Sequence, residues 1–464
     1  MSSLTNFAVN IYIARDLGAA QYGAFSLAYV TYGFALQASR GLTTDPLLVR
    51  FSAAPMPVWR RAVASCSGTA MAVGLTAGAL ALAAAMLLSG PSRLAFLALG
   101  LTLPGLLLQD SWRLAFFALG RGSHAVLNDI IWAATLLPAL ALLRATGHAN
   151  VFWFLLAWGA AAGAAAAVGP LQARVLPRIS GARAWLSGQW DLAPRYLLEG
   201  TASTGASQLR NYGVGLLLGL ASVGYVQAAN TLMGPFQVIL FGMGLVALPE
   251  AARILRKSPR HVPLFCWLLS IGLTLMALAW GVAMLVALPR GLGHWLLGSI
   301  WRPTYPLVLP TTLYIMGMCA SSGAGTYLHA LGNARRSMRA AVLTSVAYVV
   351  CALAGAAADG AIGTMRGAAV GTWIGSLLFL WQLRMALREA RETRAGDPEA
   401  RGQPSGRDRT DPAGPLGLND PATLATAPPV TQPGAAQNTR NPPSQPRPIT
   451  ECSPQEQAAS RRRG

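Results

Sequence analysis

The residues with usable chemistry sit inside apolar surroundings. In "YLLEGTASTGASQLRNYGVGLLLGL" (196–220), Glu199, Ser203, Ser207 and the Arg210/Asn211 pair recur at helical spacing and share one face, which Thr201, Thr204 and Gln208 widen. A guanidinium there suits an anion, because its fork of donors matches the paired oxygens of a carboxylate or phosphate. The hydroxyls and amides suit a polyol, and Glu199 suits a coupling ion. The same stripe also serves to hydrogen-bond neighbouring helices to one another. In "LLLQDSWRLAFFALGR" (106–121), Asp110 and Arg113 stand three apart on one face. They either pair or, with Asp110 protonated or displaced, leave Arg113 to an anionic ligand. Asp129 and Glu250 lie near span ends, where an interfacial explanation competes; Asp129 joins Glu199 and Asp110 as an ion-coupling candidate. The five cysteines and five histidines are scattered without paired spacing, and no nucleotide-binding motif occurs, so neither a metal nor a cofactor is expected.

Membrane spans must hold these groups. Of 464 residues 53% are hydrophobic and only 11% charged, far from the roughly 25% charged fraction of soluble domains. Apolar runs of about 20 residues, enough for a ~30 Å hydrocarbon core, predict twelve crossings near 1–14, 21–41, 62–89, 93–119, 123–144, 150–170, 196–220, 222–249, 261–289, 305–331, 338–358 and 364–388. All are expected to be helices, because a span in lipid must satisfy its own backbone. The net charge of +19 invites a nucleic-acid partner, but position argues against one. Between Met1 and Ala390 there are 26 Lys and Arg against nine Asp and Glu, and most of the cations fall in short gaps between spans. Gaps after even-numbered helices hold clusters such as Arg253, Arg256, Lys257 and Arg260; those after odd-numbered helices hold six cations, each alone or nearly so. The positive-inside rule then puts both termini in the cytoplasm.

The chain also repeats. At an offset of 201, Gly18, Gly23, Gly33 and Gly41 meet Gly219, Gly224, Gly234 and Gly242, and Leu17, Ala20 and Ala28 meet Leu218, Ala221 and Ala229. At an offset of 212, "FALGRGSHA" (117–125) meets "HALGNARRS" (329–337). The expected fold is therefore an all-α polytopic membrane protein of about twelve transmembrane helices in two six-helix pseudo-repeat lobes. Its lobes are expected at 1–170 and 196–390, with a basic cytoplasmic linker at 171–195. Residues 391–464 hold 13 of the 30 prolines and no aromatic residue, which predicts a disordered cytoplasmic tail. Transporters built from two parallel repeats bind substrate between the lobes and rock one against the other.

"ARDLGAAQYGAFSLA" (14–28) resembles the helix 1–2 junction of O-antigen and teichoic-acid export proteins, polysaccharide flippases of the multidrug/oligosaccharidyl-lipid/polysaccharide (MOP) exporter superfamily. Ala14, Arg15, Leu17, Gly18, Tyr22, Gly23, Phe25 and Leu27 match that signature. "RLAFFALGR" (113–121) and "LPEAARI" (248–254) are similar to the ends of the family's helices 4 and 8. The resemblance implies a non-enzymatic carrier in the bacterial cytoplasmic membrane, driven by an ion gradient or membrane potential. It would move a polyprenyl-diphosphate-linked oligosaccharide from the cytoplasmic to the outer leaflet. Membrane lipids and polysaccharide-synthesis enzymes are the implied partners. Arg210 and Arg113 would then face the diphosphate, and Ser203, Ser207, Gln208 and Asn211 the sugar. The repeat adds Asn6 and Asn10, which fall on Ser207 and Asn211 at offset 201. Rival expectations are a multidrug exporter of the same superfamily, a lipid II flippase, and a membrane glycan polymerase or transferase. Helix 1, at fourteen residues or about 21 Å, is short for a span, which predicts an upstream start or an unusually short helix; mass spectrometry of the native N-terminus distinguishes the two.

Overall fold

A computed structural model describes residues 2–52, 54–331 and 333–395, and every regular element among them is helical. The first half comprises α1 (Ser2–Asp16), α2 (Ala19–Leu42), α3 (Thr44–Phe51), α4 (Met56–Leu87), α5 (Gly90–Ala118), α6 (Gly122–Ala145) and α7 (Val151–Ala173). A short α8 (Ala182–Gly188) lies in the connection. The second half comprises α9 (Ala193–Leu218), α10 (Leu220–Leu232), α11 (Gly234–Lys257), α12 (Val262–Ala287), α13 (Gly293–Leu297), α14 (Trp301–Ala330) and α15 (Ala334–Ala395). The α1–α2 and α9–α10 connections share one end, here the turn end; the arginine-rich connections share the other, the basic end.

Hydrophobicity divides the helices by their surroundings. Among the described residues, α4, α5, α6, α7 and the stretches Val262–Ala330 and Arg335–Glu389 are apolar and long enough to cross a membrane, the last two with length for two crossings each. α1, α2, α9 and α10–α11 form two repeat-related pairs, and they supply most of the contact between the halves. Within each half the packing repeats: α4 lies on α5 and α5 on α7, as α12 lies on α14 and α14 on α15.

Local chemistry sets the breaks. The span expected at 222–249 is not one helix, because Pro235 has no N–H to donate and α10 closes instead with Met233 N–H on Asn230 O at 3.1 Å. The expected helices 11 and 12 run through one element, α15, which folds back at Asp359 and Gly360 (φ 60°, ψ −140°), a conformation open to glycine. The linker at 171–195 is folded rather than a plain tether. Arg178 N–H bonds Ala64 O at 2.8 Å, Trp185 Nε1 bonds Leu42 O at 3.0 Å, and Arg50 pairs with Asp191.

Both offsets of the repeat have structural counterparts. In the turn after α5, Leu119 N–H bonds Ala115 O (3.2 Å) and Arg121 N–H bonds Phe116 O (3.0 Å). After α14, Leu331 N–H bonds Tyr327 O (2.9 Å) and Asn333 N–H bonds Leu328 O (3.0 Å), the same pattern 212 residues on. The rise from 201 to 212 is an insertion at the turn end: residues 88–89 join α4 to α5, whereas residues 288–300 join α12 to α14, thirteen against two. This elbow reaches across to α1, bringing Gly298 against the Arg15 carbonyl.

The offset-201 glycines meet at the lobe junction. A Cβ on Gly23 would stand 1.8 Å from Leu220 O, and one on Gly224 would stand 2.4 Å from Ala19 O. Ala19 and Leu220 are themselves 201 apart, so the crossing of α2 and α10 is reciprocal and lies on the pseudo-two-fold axis. Tyr22, fully buried, hydrogen-bonds Thr231 across it at 3.2 Å. α2 also follows α9 to the basic end, where Gly41 meets the Leu197 backbone, a far more extensive contact than its repeat mate between α1 and α10–α11. Gly23→Ala is expected to overpack the crossing and lower the apparent thermal midpoint by about 2–5 °C. Gly18→Ala, with φ −65° and open space around the added carbon, is expected to leave it unchanged; thermal unfolding in detergent compares the two.

Candidate functional site

The first lobe holds a charged cavity toward the basic end, formed by α2, α5, α6 and α7. Asp110, its side chain 6% exposed, accepts from Arg40 Nε at Oδ2 and from Arg40 Nη2 at Oδ1, both at 2.7 Å. Arg113 reaches the same carboxylate at 3.2 Å and Asp129 at 3.9 Å. Two guanidiniums therefore face two carboxylates, and the cluster balances to zero. Asn128 anchors the next layer by accepting from Gln109 and donating to Ala165 O, both at 2.8 Å. Tyr29, Tyr32, Trp132 and Trp158 wall a cavity of about 170 Å³, room for a few waters at roughly 30 Å³ each. Its chemistry is that of a small hydrated ion or proton site. A proton on Asp110 would release two guanidiniums at once, leaving Arg113 facing Asp129.

Arg40 is absent from the sequence candidates, although it is a cation inside a predicted span, which was the available signal. Its partner lies 70 residues away, and only tertiary packing joins them. The cluster also breaks the repeat: at the matching offsets the second half places Phe241, Ser322, Gly325 and Ala341 where the first has Arg40, Asp110, Arg113 and Asp129.

On α9 the expected stripe divides. Arg210 is 3% exposed and points into the second lobe, donating to Asn211 Oδ1 at 3.2 and 2.8 Å, with its guanidinium carbon 5.6 Å from the centre of the Tyr348 ring. Tyr348 in turn stacks on Tyr314. Gln208 faces α2 at Gly33, and exposed Ser207 donates to Thr204 O at 2.8 Å. Arg113 and Arg210 therefore do not form one clamp; they occupy different lobes, because residues two positions from Gln208 point to nearly the opposite side of a helix. Asn10 is buried on α1. The side chains of Glu199, Ser203 and Asn6 lie outside the described residues. Of the signature residues, Gly18 caps α2, Tyr22 and Gly23 build the crossing, and Arg15 meets the elbow.

The chain superposes on an inward-facing multidrug resistance MATE family transporter of the MOP superfamily with a TM-score of 0.68 at 14% identity, covering 85% of this chain and 96% of that one. The fold is that of MOP-superfamily transporters. An inward closed conformation of the lipid II flippase MurJ gives 0.62 at 12% identity, with 82% and 86% covered. An outward-facing MATE transporter of the MOP superfamily gives 0.53 at 14%, with 84% and 93% covered. No family model and no curated protein matches the sequence.

The cluster yields a stability contrast. Asp110→Asn leaves two guanidiniums sharing a lost carboxylate and is expected to cost about 3 kcal/mol, seen as a lower unfolding temperature. Asp129→Asn, which gives up a 3.9 Å contact, is expected to cost less than half of that.

Proposed function

We propose that this protein carries a polyprenyl-diphosphate-linked oligosaccharide from the cytoplasmic to the outer leaflet by alternating access, with both termini in the cytoplasm. One observation carries the transport reading. The repeat-related pairs, α1 with α9 and α2 with α10–α11, face one another across the lobe junction, and α9 carries Ser, Thr, Gln, Arg and Asn side chains along its length. Such helices suit an interface that is wet for part of a cycle. With the turn end outward, the Gly23–Gly224 crossing is a closed outer gate, in keeping with the closer superposition on the inward-facing neighbour.

Charge supports the choice of substrate. Arginine is the prevailing ionisable residue of the described spans, and the likeness to the lipid II flippase MurJ supports a lipid-linked cargo. Arg113 is the group we assign to the diphosphate. Asp110 and Asp129 supply the coupling site, where a proton or cation changes the hold on Arg113. The aromatic walls around these carboxylates favour a second reading, export of cationic amphiphiles.

A strain lacking the protein decides between them. Accumulation of lipid-linked oligosaccharide on the cytoplasmic leaflet with loss of surface glycan is the expected result, restored by the wild-type gene and not by Arg113→Ala. Unchanged glycan with new sensitivity to cationic dyes would instead establish the drug-export reading.

A further inference from the structure

The two halves differ at the basic-end corner where the second and third spans of each repeat meet. In the first half this corner is filled by the chain itself. Trp185 of α8 is inserted there, 5% exposed, against Phe51, with its indole N–H on Leu42 O. In the second half the corresponding corner, between α11 and α12, is an open cavity of about 430 Å³ whose lining includes Glu250, Arg253, Lys257, His261, Leu264 and Leu268.

Its lining has two kinds of surface. Arg253, Lys257 and His261 bring basic groups to it, while Leu264 and Leu268, 58% and 61% exposed, stand one turn apart on the apolar helix α12. Orientation of the protein in the membrane would account for basic residues at this end, and some of them are engaged by carboxylates; those at this corner also border a cavity. Arg50 bonds Asp191, Gln189 and Gly188 O, and Arg336 bonds Glu389 and Gln382. Here Arg253 has one 3.4 Å contact with Glu250, and Lys257 and His261 have no side-chain partner among the described residues. The first turn of α12, a 26-residue helix, opens onto the same corner and adds the positive end of its dipole.

We infer that this corner is a binding seat for the phosphate group of a membrane lipid, with Arg253, Lys257 and His261 around the phosphate and the chain lying along Leu264 and Leu268. Cations beside exposed leucines match the two halves of an anionic lipid. A resident phospholipid and a polyprenyl diphosphate share the phosphate that this seat would hold, so the inference does not rest on the proposed cargo.

The test uses the full chain in phosphatidylcholine nanodiscs, titrated with phosphatidylglycerol in one arm and with a polyprenyl diphosphate in the other. Native mass spectrometry counts the lipids retained. Wild type is expected to keep one anionic lipid, and Arg253→Ala/Lys257→Ala to bind it about tenfold more weakly. Arg335→Ala/Arg339→Ala, which removes the same charge from an exposed stretch of the same end, is expected to bind as wild type. Retention of phosphatidylglycerol identifies a resident phospholipid seat, and retention of the polyprenyl diphosphate alone identifies a cargo seat; either supports the inference. Equal weakening by both double variants, or equal binding by all three proteins, overturns it. Matching thermal midpoints of the three proteins establish that the comparison is between folded molecules.

Discussion

The backbone contact between Gly23 and Gly224 is the constraint on which the arrangement of the lobes depends. Each position faces the other half's carbonyl at a distance that leaves no room for a side chain. The reciprocity follows from the repeat: two copies of one segment, related by an axis along the membrane normal, touch themselves where they cross that axis. Only an atom-poor residue lets both copies approach, so glycine appears in both. Tyr22 and Thr231 then seal the crossing, and α2 is fixed against both α9 and α10.

From that junction outward the halves diverge, and their differences carry the chemistry. The first lobe holds a neutral cluster of two arginines and two aspartates, while the second has Phe241, Ser322, Gly325 and Ala341 at the corresponding sites. The second lobe holds Arg210 against Tyr348 and an elbow of thirteen residues that spans to α1. Removing buried charge from one copy is inexpensive, because each apolar replacement avoids the desolvation that a paired ion must recover through its partners.

The signature near the start of the chain has a mechanical explanation. Tyr22 and Gly23 belong to the crossing, and Arg15 lends its carbonyl to the elbow. A motif shared by carriers of many substrates would be expected to encode how lobes join rather than what they hold.

Local sequence determined much of this protein. Apolar runs of membrane length placed eleven of the twelve spans as single helices, since hydrophobicity and backbone self-satisfaction both act over one segment. Glycine spacing at offset 201 and the matching segment at offset 212 showed the repeat, whereas the place where those glycines meet and the place of the inserted residues came from the fold. Asp110 and Arg113 were legible as a pair because they lie one turn apart. Tertiary structure alone decided the rest. Arg40 joins Asp110 from another helix, the direction of Arg210 follows from how α9 is rotated against α2, and Trp185 fills the first half's corner where, among the described residues, the corner between α11 and α12 is a cavity. Periodicity shows that residues share a face; only packing shows what that face meets.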